Sequence, residues 1–475
     1  MRLYGSLAGF KYYIKPKPFL GAYVAMENFA RGLLRYGTFD EYHTYFDQGF
    51  FQSLTRDERR KVYVDGERLK VLHLGSLLRH PDRCYRVLHF ERMNPYEEVV
   101  FRNLLQKKSI PLTRRAYAVA TRAHLGEFLG TCLLGKGGRP YDSIVVPSRP
   151  TRDAVLAYLA DVAAATSGQF HYRGRVDVIP HGIPWDEFRP TNRAEARRKL
   201  GIPPDATVLV SVARFSSDSK MNYDRVIDFF RQLVGRSAAD LVLVMAGSDT
   251  NRESENVLHH ATELGVRDRL MLITDFSDAD KAAILSAGDV FLSLSDNLQE
   301  SFGITLIEAM ATGLPLVCSD WNGYKDIVDD GVTGYRIPTV WHVREHPEDV
   351  LNGFHRNPYD HTVLHRLSRD VRIDMHAAVE RTLELIARTD LRKRMGEKGR
   401  IKASRAYSIK TEIGEFEALW QELSEMAECD PSDYTDLHSV LRYEYPKHLQ
   451  GYASSVIYGA APADAERKLE RATGR

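Results

Sequence analysis

The sequence predicts an α/β fold of two facing, doubly wound Rossmann-like domains with a cleft between them. Its 475 residues are enough for two or three domains of ordinary size. In both halves, short apolar runs alternate with amphipathic helical patterns. Between the halves, the segment IPHGIP at 179–184 places proline and glycine where one strand ends and the chain changes direction.

The second half shows this alternation most clearly. Its strands are continuously apolar, which is typical of a parallel sheet covered by helices on both faces. Strands are predicted at 207–213, 241–246, 270–273, 290–294 and 315–318, and helices at 223–233, 254–264, 278–287 and 304–311.

The first half has the same character with longer intervening segments. No opening strand is assigned before Gly21, because Lys15-Pro16-Lys17-Pro18 interrupts that stretch. Strands are predicted at 71–74, 86–90, 143–147 and 176–179, and helices at 24–34, 96–106 and 151–159.

Three regions follow from these patterns. Residues 1–183 form an N-terminal Rossmann-like domain, and residues 184–405 form a C-terminal Rossmann-like domain. Residues 406–475 begin with a helix near 412–427 and are expected to pack back on the N-terminal domain.

Composition excludes several classes of function. A net charge of +1 gives no global electrostatic case for nucleic acid or an anionic membrane. The basic runs at 56–61 and 114–115 are interpreted as solvated faces, with a role in binding phosphate or a membrane surface left as an alternative. Four widely spaced cysteines indicate neither a zinc site nor a disulfide framework. The chain shows neither a signal-peptide core nor an apolar stretch of about 20 residues, so we expect a cytoplasmic protein without an integral membrane segment.

Glu308 is the first candidate for a functional residue. Its neighbours Leu306, Ile307, Ala309 and Met310 predict a helix with almost no polar face, and hence a buried carboxylate. Burying a carboxylate costs several kcal/mol unless it is paired or hydrogen-bonded. Either a basic or backbone group of the protein or a hydroxyl group of a ligand must therefore satisfy it.

Glu300 precedes the Ser-Phe-Gly turn that opens the same helix. Gly303 allows close approach of a ligand to the backbone, and the free N–H groups of the first helical turn favour an anion. Two carboxylates flanking a phosphate site suit a ligand with hydroxyls at both ends and a diphosphate between, as in a nucleotide sugar. Helix capping is the structural alternative for Glu300.

Arg214 and Lys220 follow the first strand of the second half. In a parallel sheet with right-handed crossovers, the loops after the strands share one edge, where ligands bind. Arg214 and Lys220 are therefore expected to hold the diphosphate and to neutralise the charge that develops on it as it departs. Each residue alone is more often a surface residue.

The segment 181–334 resembles the donor domain of glycosyltransferase family 4, which has the GT-B fold. The matching motifs are IPHGIPWDEFRP at 179–190, VARFSSDSKMNYDRVIDFF at 212–230, VMAGSD at 244–249, ESFGITLIE at 300–308 and GLPLVCSD…DGVTGY at 313–335.

The resemblance implies a retaining, metal-independent hexosyltransferase that uses a UDP- or GDP-type nucleotide sugar and a hydroxyl acceptor. It also implies that the domain 184–405 binds the donor and that the domain 1–183 faces the acceptor. Arg214 and Lys220 would contact the diphosphate, Glu300 the donor sugar and Glu308 the ribose. Neither a cofactor nor a metal is implied; Asp278 and Asp280 are interpreted as helix N-terminal charge. Further donor contacts would come from Phe276 near the nucleobase and from Phe302, Gly303, Ile304 and Thr305 near the sugar and phosphates.

The N-terminal half gives weaker candidates. Gly21 resembles the family's glycine-rich loop reduced to one glycine, where a phosphate contact and a plain turn are equally good interpretations. The position of the family's histidine is occupied by Tyr117, in PLTRRAY at 111–117. A tyrosine with a pKa of about 10 is a poor base at neutral pH but donates a hydrogen bond. His89 ends a predicted strand and is expected to point toward the cleft, although a lone histidine is more often structural.

Two alternatives stay open at this point. One is a sugar-nucleotide epimerase or a phosphorylase on the same fold, and the other is a non-catalytic sugar-nucleotide-binding protein, suggested by Tyr117 in place of histidine.

Overall fold

A computed structural model describes residues 1–16, 21–63, 68–80, 82–105, 109–133, 138–274, 276–343 and 362–430. Within these residues the chain forms two parallel sheets, of seven and six strands, and one antiparallel pair. The last strand of the first sheet ends at Val178 and the first strand of the second sheet begins at Thr207, so the predicted boundary near residue 183 lies in the connection between them.

The N-terminal sheet has the order β3-β2-β1-β4-β5-β6-β7 with all pairs parallel. Its strands are β1 Leu3–Leu7, β2 Glu41–Phe46, β3 Leu69–His73, β4 Tyr85–Phe90, β5 Leu112–Arg115, β6 Ser143–Val146 and β7 Arg175–Val178. Its helices are α1 Lys11–Ile14, α2 Gly21–Tyr36, α3 Gln48–Gln52, α4 Arg56–Tyr63, α5 Ser76–Arg79, α6 Pro95–Asn103, α7 Arg122–Leu133 and α8 Arg149–Ala165.

Strand β1 lies within the first twenty residues, where the sequence predicts no strand. It lies in the middle of the sheet, between β2 and β4, although no strand was assigned there. The strand ends at Leu7, before the prolines that argued against it, and the chain between them forms α1. Gly5 is needed in this strand, because a Cβ there would lie 2.6 Å from Leu88 Cδ2.

The C-terminal sheet has the order β10-β9-β8-β11-β12-β13, again with parallel pairs. Its strands are β8 Thr207–Val212, β9 Leu241–Ala246, β10 Leu270–Ile273, β11 Val290–Ser293, β12 Leu316–Ser319 and β13 Gly334–Ile337. Its helices are α9 Arg193–Leu200, α10 Tyr223–Arg236, α11 Glu253–Glu263, α12 Asp278–Ser286, α13 Ile304–Ala311 and α14 Tyr324–Ile327, with a 3-10 turn at Arg267–Arg269.

The remaining described elements follow this sheet. They are the antiparallel pair β14 Thr339–Trp341 and β15 Val371–Ile373 and the helices α15 Thr362–Ser368, α16 Met375–Ala387, α17 Thr389–Ala406 and α18 Ile409–Cys429. Helix α18 packs against α2, and its residues Ile413, Phe416 and Trp420 belong to the N-terminal apolar core. The expected packing of the tail beyond residue 430 lies outside the described residues.

The basic pair Arg114–Arg115 was interpreted as a solvated face, and this interpretation is wrong. Both residues lie on the interior strand β5 and are 2% and 3% exposed. Arg114 Nε lies 3.0 Å from Glu98 Oε2, and Arg115 pairs with Glu412 of α18. Carboxylates that are distant in sequence therefore allow both guanidinium groups to be buried.

Candidate functional site

Lys220 and Glu300 form an ion pair at the carboxyl edge of the C-terminal sheet. The Lys220 Nζ donates to Glu300 Oε2 at 3.2 Å, and the two side chains are 30% and 13% exposed. Lys220 lies in the loop between β8 and α10, and Glu300 lies between β11 and α13. Ser295 Oγ donates to the Lys220 carbonyl at 2.8 Å and so joins these two loops. The structure thus brings together two predicted site residues that are 80 positions apart.

Arg214 is anchored in the loop that carries Lys220. Its Nη2 donates to Ser219 Oγ at 2.6 Å, and the Ser219 hydroxyl lies 2.8 Å from Ser216 Oγ. Burial lowers the pKa of the Arg214 guanidinium, but arginine stays protonated at neutral pH. A second cation is therefore held in the loop that carries Lys220.

The N-terminus of α13 completes this edge. Gly303 occupies the N-cap position with φ +119°, a backbone conformation that favours glycine, and no side chain caps the helix. A Cβ at Gly303 would lie 2.6 and 2.9 Å from ring carbons of Tyr324. Phe302 is buried behind the turn, whereas Ile304 and Thr305 are partly exposed in the first helical turn. The uncapped first turn is an arrangement that suits an anion.

Glu308 is 1% exposed, as its apolar neighbours predict. Lys281 of α12 donates to Glu308 Oε1 at 2.7 Å, and its own side chain is 14% exposed. This pairing is the structural alternative that the sequence left open, and it accounts for the burial of the carboxylate without a ligand. Sequence reasoning missed Lys281, because the pairing joins two helices 27 positions apart.

Ser301 ties the loop before α13 to the N-terminal domain. Its carbonyl accepts hydrogen bonds from Ser148 Oγ at 2.9 Å and from Thr151 Oγ1 at 3.2 Å, both at the start of α8. Its hydroxyl donates to the Tyr117 carbonyl at 2.6 Å. Beside this contact, Arg149 donates through its backbone N–H and its Nε to the Asp326 carboxylate at 2.7 and 2.8 Å. None of these interdomain contacts carries a motif that would reveal it in the sequence.

Tyr117 lies at the junction of the two domains. Its hydroxyl donates to Glu91, and its ring stacks on His181 with centroids 5.2 Å apart and planes 16° apart. The His181 ring in turn meets Phe302 edge-on at 5.1 Å. Burial raises the pKa of Tyr117 well above its usual value. The hydroxyl is therefore a hydrogen-bond donor and not a base at neutral pH.

A buried polar network surrounds Tyr117. Arg115 donates to Glu412 and lies 2.7 Å from His181 Nδ1, while the Glu412 Oε2 accepts the Gly182 N–H at 2.9 Å. Burial alone would raise the pKa of Glu91. The charge of Arg115 and the hydrogen bonds from His89 and Tyr117 outweigh burial, so the pKa of Glu91 is lowered. The network therefore links the connection between the domains to helix α18.

His89 does not face the cleft, so the expected orientation is wrong. The side chain is 0% exposed and lies among the rings of Tyr4, Phe29, Phe416 and Trp420. Its Nδ1 lies 2.8 Å from Thr113 Oγ1, and its Nε2 lies 3.3 Å from Glu91 Oε1. Burial lowers the pKa of His89. The residue helps to position Glu91 from inside the core.

The other predicted contacts are placed as follows. Gly21 is the exposed first residue of α2, and an added Cβ would meet nothing within 4 Å, so no close approach is visible there. Phe276 is partly buried against the C-terminal core. Asp280 forms a capping box with Ser277 at the start of α12, in keeping with its interpretation as helix N-terminal charge.

Among the residues that the structure describes, no cluster of three or more His, Cys, Asp or Glu side chains is suited to a metal ion. None of the described helices combines the length and the apolar character needed to cross a membrane.

The C-terminal half of the chain is similar in sequence to a known family, and most of the chain is similar in fold to solved structures. Residues 192–345 match the family described as "Glycosyl transferases group 1". Sucrose-phosphate synthase from Thermosynechococcus elongatus has a TM-score of 0.60 at 15% identity, with 90% of this chain and 100% of that chain covered. Anabaena Alr3699/HepE, solved in complex with UDP and glucose, has a TM-score of 0.56 at 14% identity, with 89% and 100% covered.

The chain therefore has the GT-B fold, and residues 192–345 in its C-terminal half match the glycosyl transferases group 1 family. Among curated proteins, the D-inositol 3-phosphate glycosyltransferase of Saccharomonospora viridis is 31% identical over 201 residues, 41% of this chain and 45% of that protein. The corresponding protein of Mycobacterium sp. (strain KMS) is 30% identical over 212 residues, 43% and 42% of the two chains. The chain thus spans less than half of the length of these relatives.

Proposed function

We propose that this chain transfers a sugar from a nucleoside-diphosphate sugar to a hydroxyl acceptor, with retention and without a metal or cofactor. The observation that carries the proposal is the Lys220–Glu300 ion pair at the sheet edge, beside Arg214 and the uncapped first turn of α13. A carboxylate for sugar hydroxyls is thereby placed next to two cations and free amides for a diphosphate.

The cations act on the leaving group. As the glycosidic bond of the donor breaks, negative charge accumulates on the departing diphosphate. Arg214 is held by its hydrogen bond to Ser219 before the reaction, so it needs little reorganisation to stabilise that charge. Donor binding would exchange the Lys220–Glu300 contact for contacts from Lys220 to phosphate and from Glu300 to the sugar.

The acceptor side needs no protein base in this proposal. Tyr117 holds its proton because burial raises its pKa, and it donates to Glu91. With retention, an oxygen of the donor phosphate lies on the same face as the incoming hydroxyl and accepts its proton. The protein then contributes positioning and charge stabilisation, and Ser301 keeps the two domains together across the reacting groups.

The donor is proposed to be of the UDP or GDP type. The UDP bound in the Anabaena neighbour supports UDP as the first nucleotide to test. Glu308 lies in the second turn of α13, and we propose that it accepts a ribose hydroxyl while it stays paired with Lys281.

The test is a transfer assay with purified full-length chain, a panel of UDP- and GDP-sugars and simple polyol and sugar-phosphate acceptors. Lys220→Ala is expected to lower turnover by about 100- to 1,000-fold, the loss caused by removing one donor to a developing charge. Donor affinity is expected to change far less. Lys398→Ala removes an exposed lysine from α17 and is the matched control, with turnover as in the wild type.

Three outcomes contradict the proposal. Equal turnover of Lys220→Ala and wild type rejects the role of the lysine. Donor consumption that is independent of any acceptor indicates an epimerase. Tight binding of a nucleotide sugar with no turnover for any acceptor indicates a binding protein. The anomeric proton of the product, measured by NMR, tests retention.

A further inference from the structure

A cavity lies at the edge of the C-terminal sheet opposite to the proposed donor site. Its volume is about 200 Å³, and its lining includes Arg193, Asp289, Thr312, Arg392 and Lys393. Asp289 directly precedes β11, so the cavity lies at the amino ends of the strands, whereas the donor-site loops follow their carboxyl ends. The cavity is therefore separate from the donor site.

Three arginines converge on one carboxylate at this cavity. Arg193 pairs with Asp289 Oδ1, Arg197 Nη2 lies 2.7 Å from Oδ2, and Arg392 Nη2 lies 3.8 Å from Oδ1. The Asp289 Oδ2 also accepts the Val208 N–H at 2.8 Å. One negative charge thus faces three positive ones, and its acceptor positions are largely occupied.

The arginines differ in how firmly they are fixed. Arg197 is buried and donates to the carbonyls of Pro204, Ala206 and Ala287 at 2.6–3.0 Å. Burial lowers the pKa of Arg197, and the neighbouring charges of Arg193 and Arg392 lower it further. Asp289 raises the pKa of Arg197 in the opposite direction, and burial is the largest cause of the net shift.

Two cations at the mouth of the cavity remain accessible. The Arg193 side chain is 49% exposed, and Lys393 is exposed and pairs with no carboxylate in the described part of the chain. Helix α17 begins at the cavity with Thr389, and no side chain caps its N-terminus. The Asp390 carboxylate in its first turn is balanced by Arg394, at 2.5 Å, and by Arg388, at 3.9 Å.

We propose that this cavity binds a phosphate-class anion, either free phosphate or the phosphate group of a small metabolite, through Arg193, Lys393 and the first turn of α17. Excess positive charge, a concave site and N–H groups at the start of an 18-residue helix together suit a compact dianion. The proposal does not depend on the activity assigned to the other edge of the sheet.

The test is calorimetric titration of inorganic phosphate and of a hexose monophosphate into the full-length chain at low ionic strength. The double variant Arg193→Gln/Lys393→Gln is expected to weaken binding by about tenfold or more, because it removes two charge-assisted contacts. Asp289 still pairs with Arg197 and Arg392 in this variant. An unchanged melting temperature verifies that the variant is folded. The single variant Lys393→Gln, at an exposed lysine, is expected to weaken binding several-fold.

The matched control is Arg198→Gln/Lys398→Gln, which removes the same charges from exposed positions of α9 and α17. The control and Lys220→Ala are both expected to bind as the wild type does. Absence of saturable binding of either probe to the wild type overturns the proposal. Equal weakening of binding in the control and in Arg193→Gln/Lys393→Gln also overturns it, because it indicates a diffuse electrostatic field and not a site. Loss of binding in Lys220→Ala overturns it as well, because it places the anion at the donor edge.

Discussion

Replacing Glu412 with alanine tests whether the buried network holds helix α18 to the N-terminal domain. Its carboxylate accepts from the Arg115 guanidinium and from the Gly182 N–H, and both members of the ion pair are 2% exposed at their side chains. Removing one partner of a buried ion pair typically costs about 3–5 kcal/mol, because the remaining charge stays in a poorly solvated site. Glu91, 3.8 Å from Arg115, compensates in part, so we expect a loss near 3 kcal/mol at neutral pH.

The measurement is urea unfolding followed by tryptophan fluorescence, to which Trp420 in the N-terminal core contributes. Glu422→Ala is the control on the same helix, because Glu422 is 56% exposed and pairs with Arg175 at the surface. Such exposed pairs contribute about 0–1 kcal/mol. Equal losses of free energy of unfolding for the two variants would refute the role assigned to the network.

Three further expectations concern the loop before α13 and the groups around Glu91. Gly303→Ala should lower the free energy of unfolding by about 1–3 kcal/mol, because of backbone strain and the collision of the added Cβ with Tyr324. The same variant should weaken the binding of UDP in a calorimetric titration. Tyr117→Phe removes a donor from a buried carboxylate and should cost about 1–3 kcal/mol in urea unfolding, while turnover persists if no protein base is needed. Burial lowers the pKa of His89, so the unfolded chain binds a proton at this side chain at a higher pH than the folded protein does. The contribution of His89 to the free energy of unfolding should therefore be fully present above a pH of about 6.5. Below that pH, the free energy of unfolding should fall by up to about 1.4 kcal/mol per pH unit. His89→Asn should flatten this slope in melting curves between pH 7 and 5, and an unchanged slope would contradict the assignment.

The elements of the second half could be predicted because their strands are continuous apolar runs. The strands Leu241–Ala246 and Leu270–Ile273 and the helix Ile304–Ala311 have the predicted bounds. Their burial is a property of local composition. The same reasoning predicted that Glu308 is buried, since the residues on both sides of it leave no polar face.

The first half was harder for a physical reason. Strand β1 (LYGSL) contains a glycine and a serine, and its burial comes from neighbouring strands and not from its own hydrophobicity. Strand β5 (LTRR) ends in two arginines that are buried because Glu98 and Glu412 reach them from other helices. Long-range pairing of this kind leaves no local signal, and for the same reason Lys281 and the environment of His89 were not foreseen.

The central claim is that one nucleoside diphosphate lies against Arg214, Lys220 and Glu308 at the carboxyl edge of the C-terminal sheet. Titration of UDP and GDP into the wild type, Arg214→Ala and Glu308→Gln tests this claim most directly, with Lys398→Ala as the control. We predict saturable binding of one diphosphate that is weakened about tenfold or more by Arg214→Ala and by Glu308→Gln, and unchanged by the control. Identical affinities in all four proteins would contradict the claim.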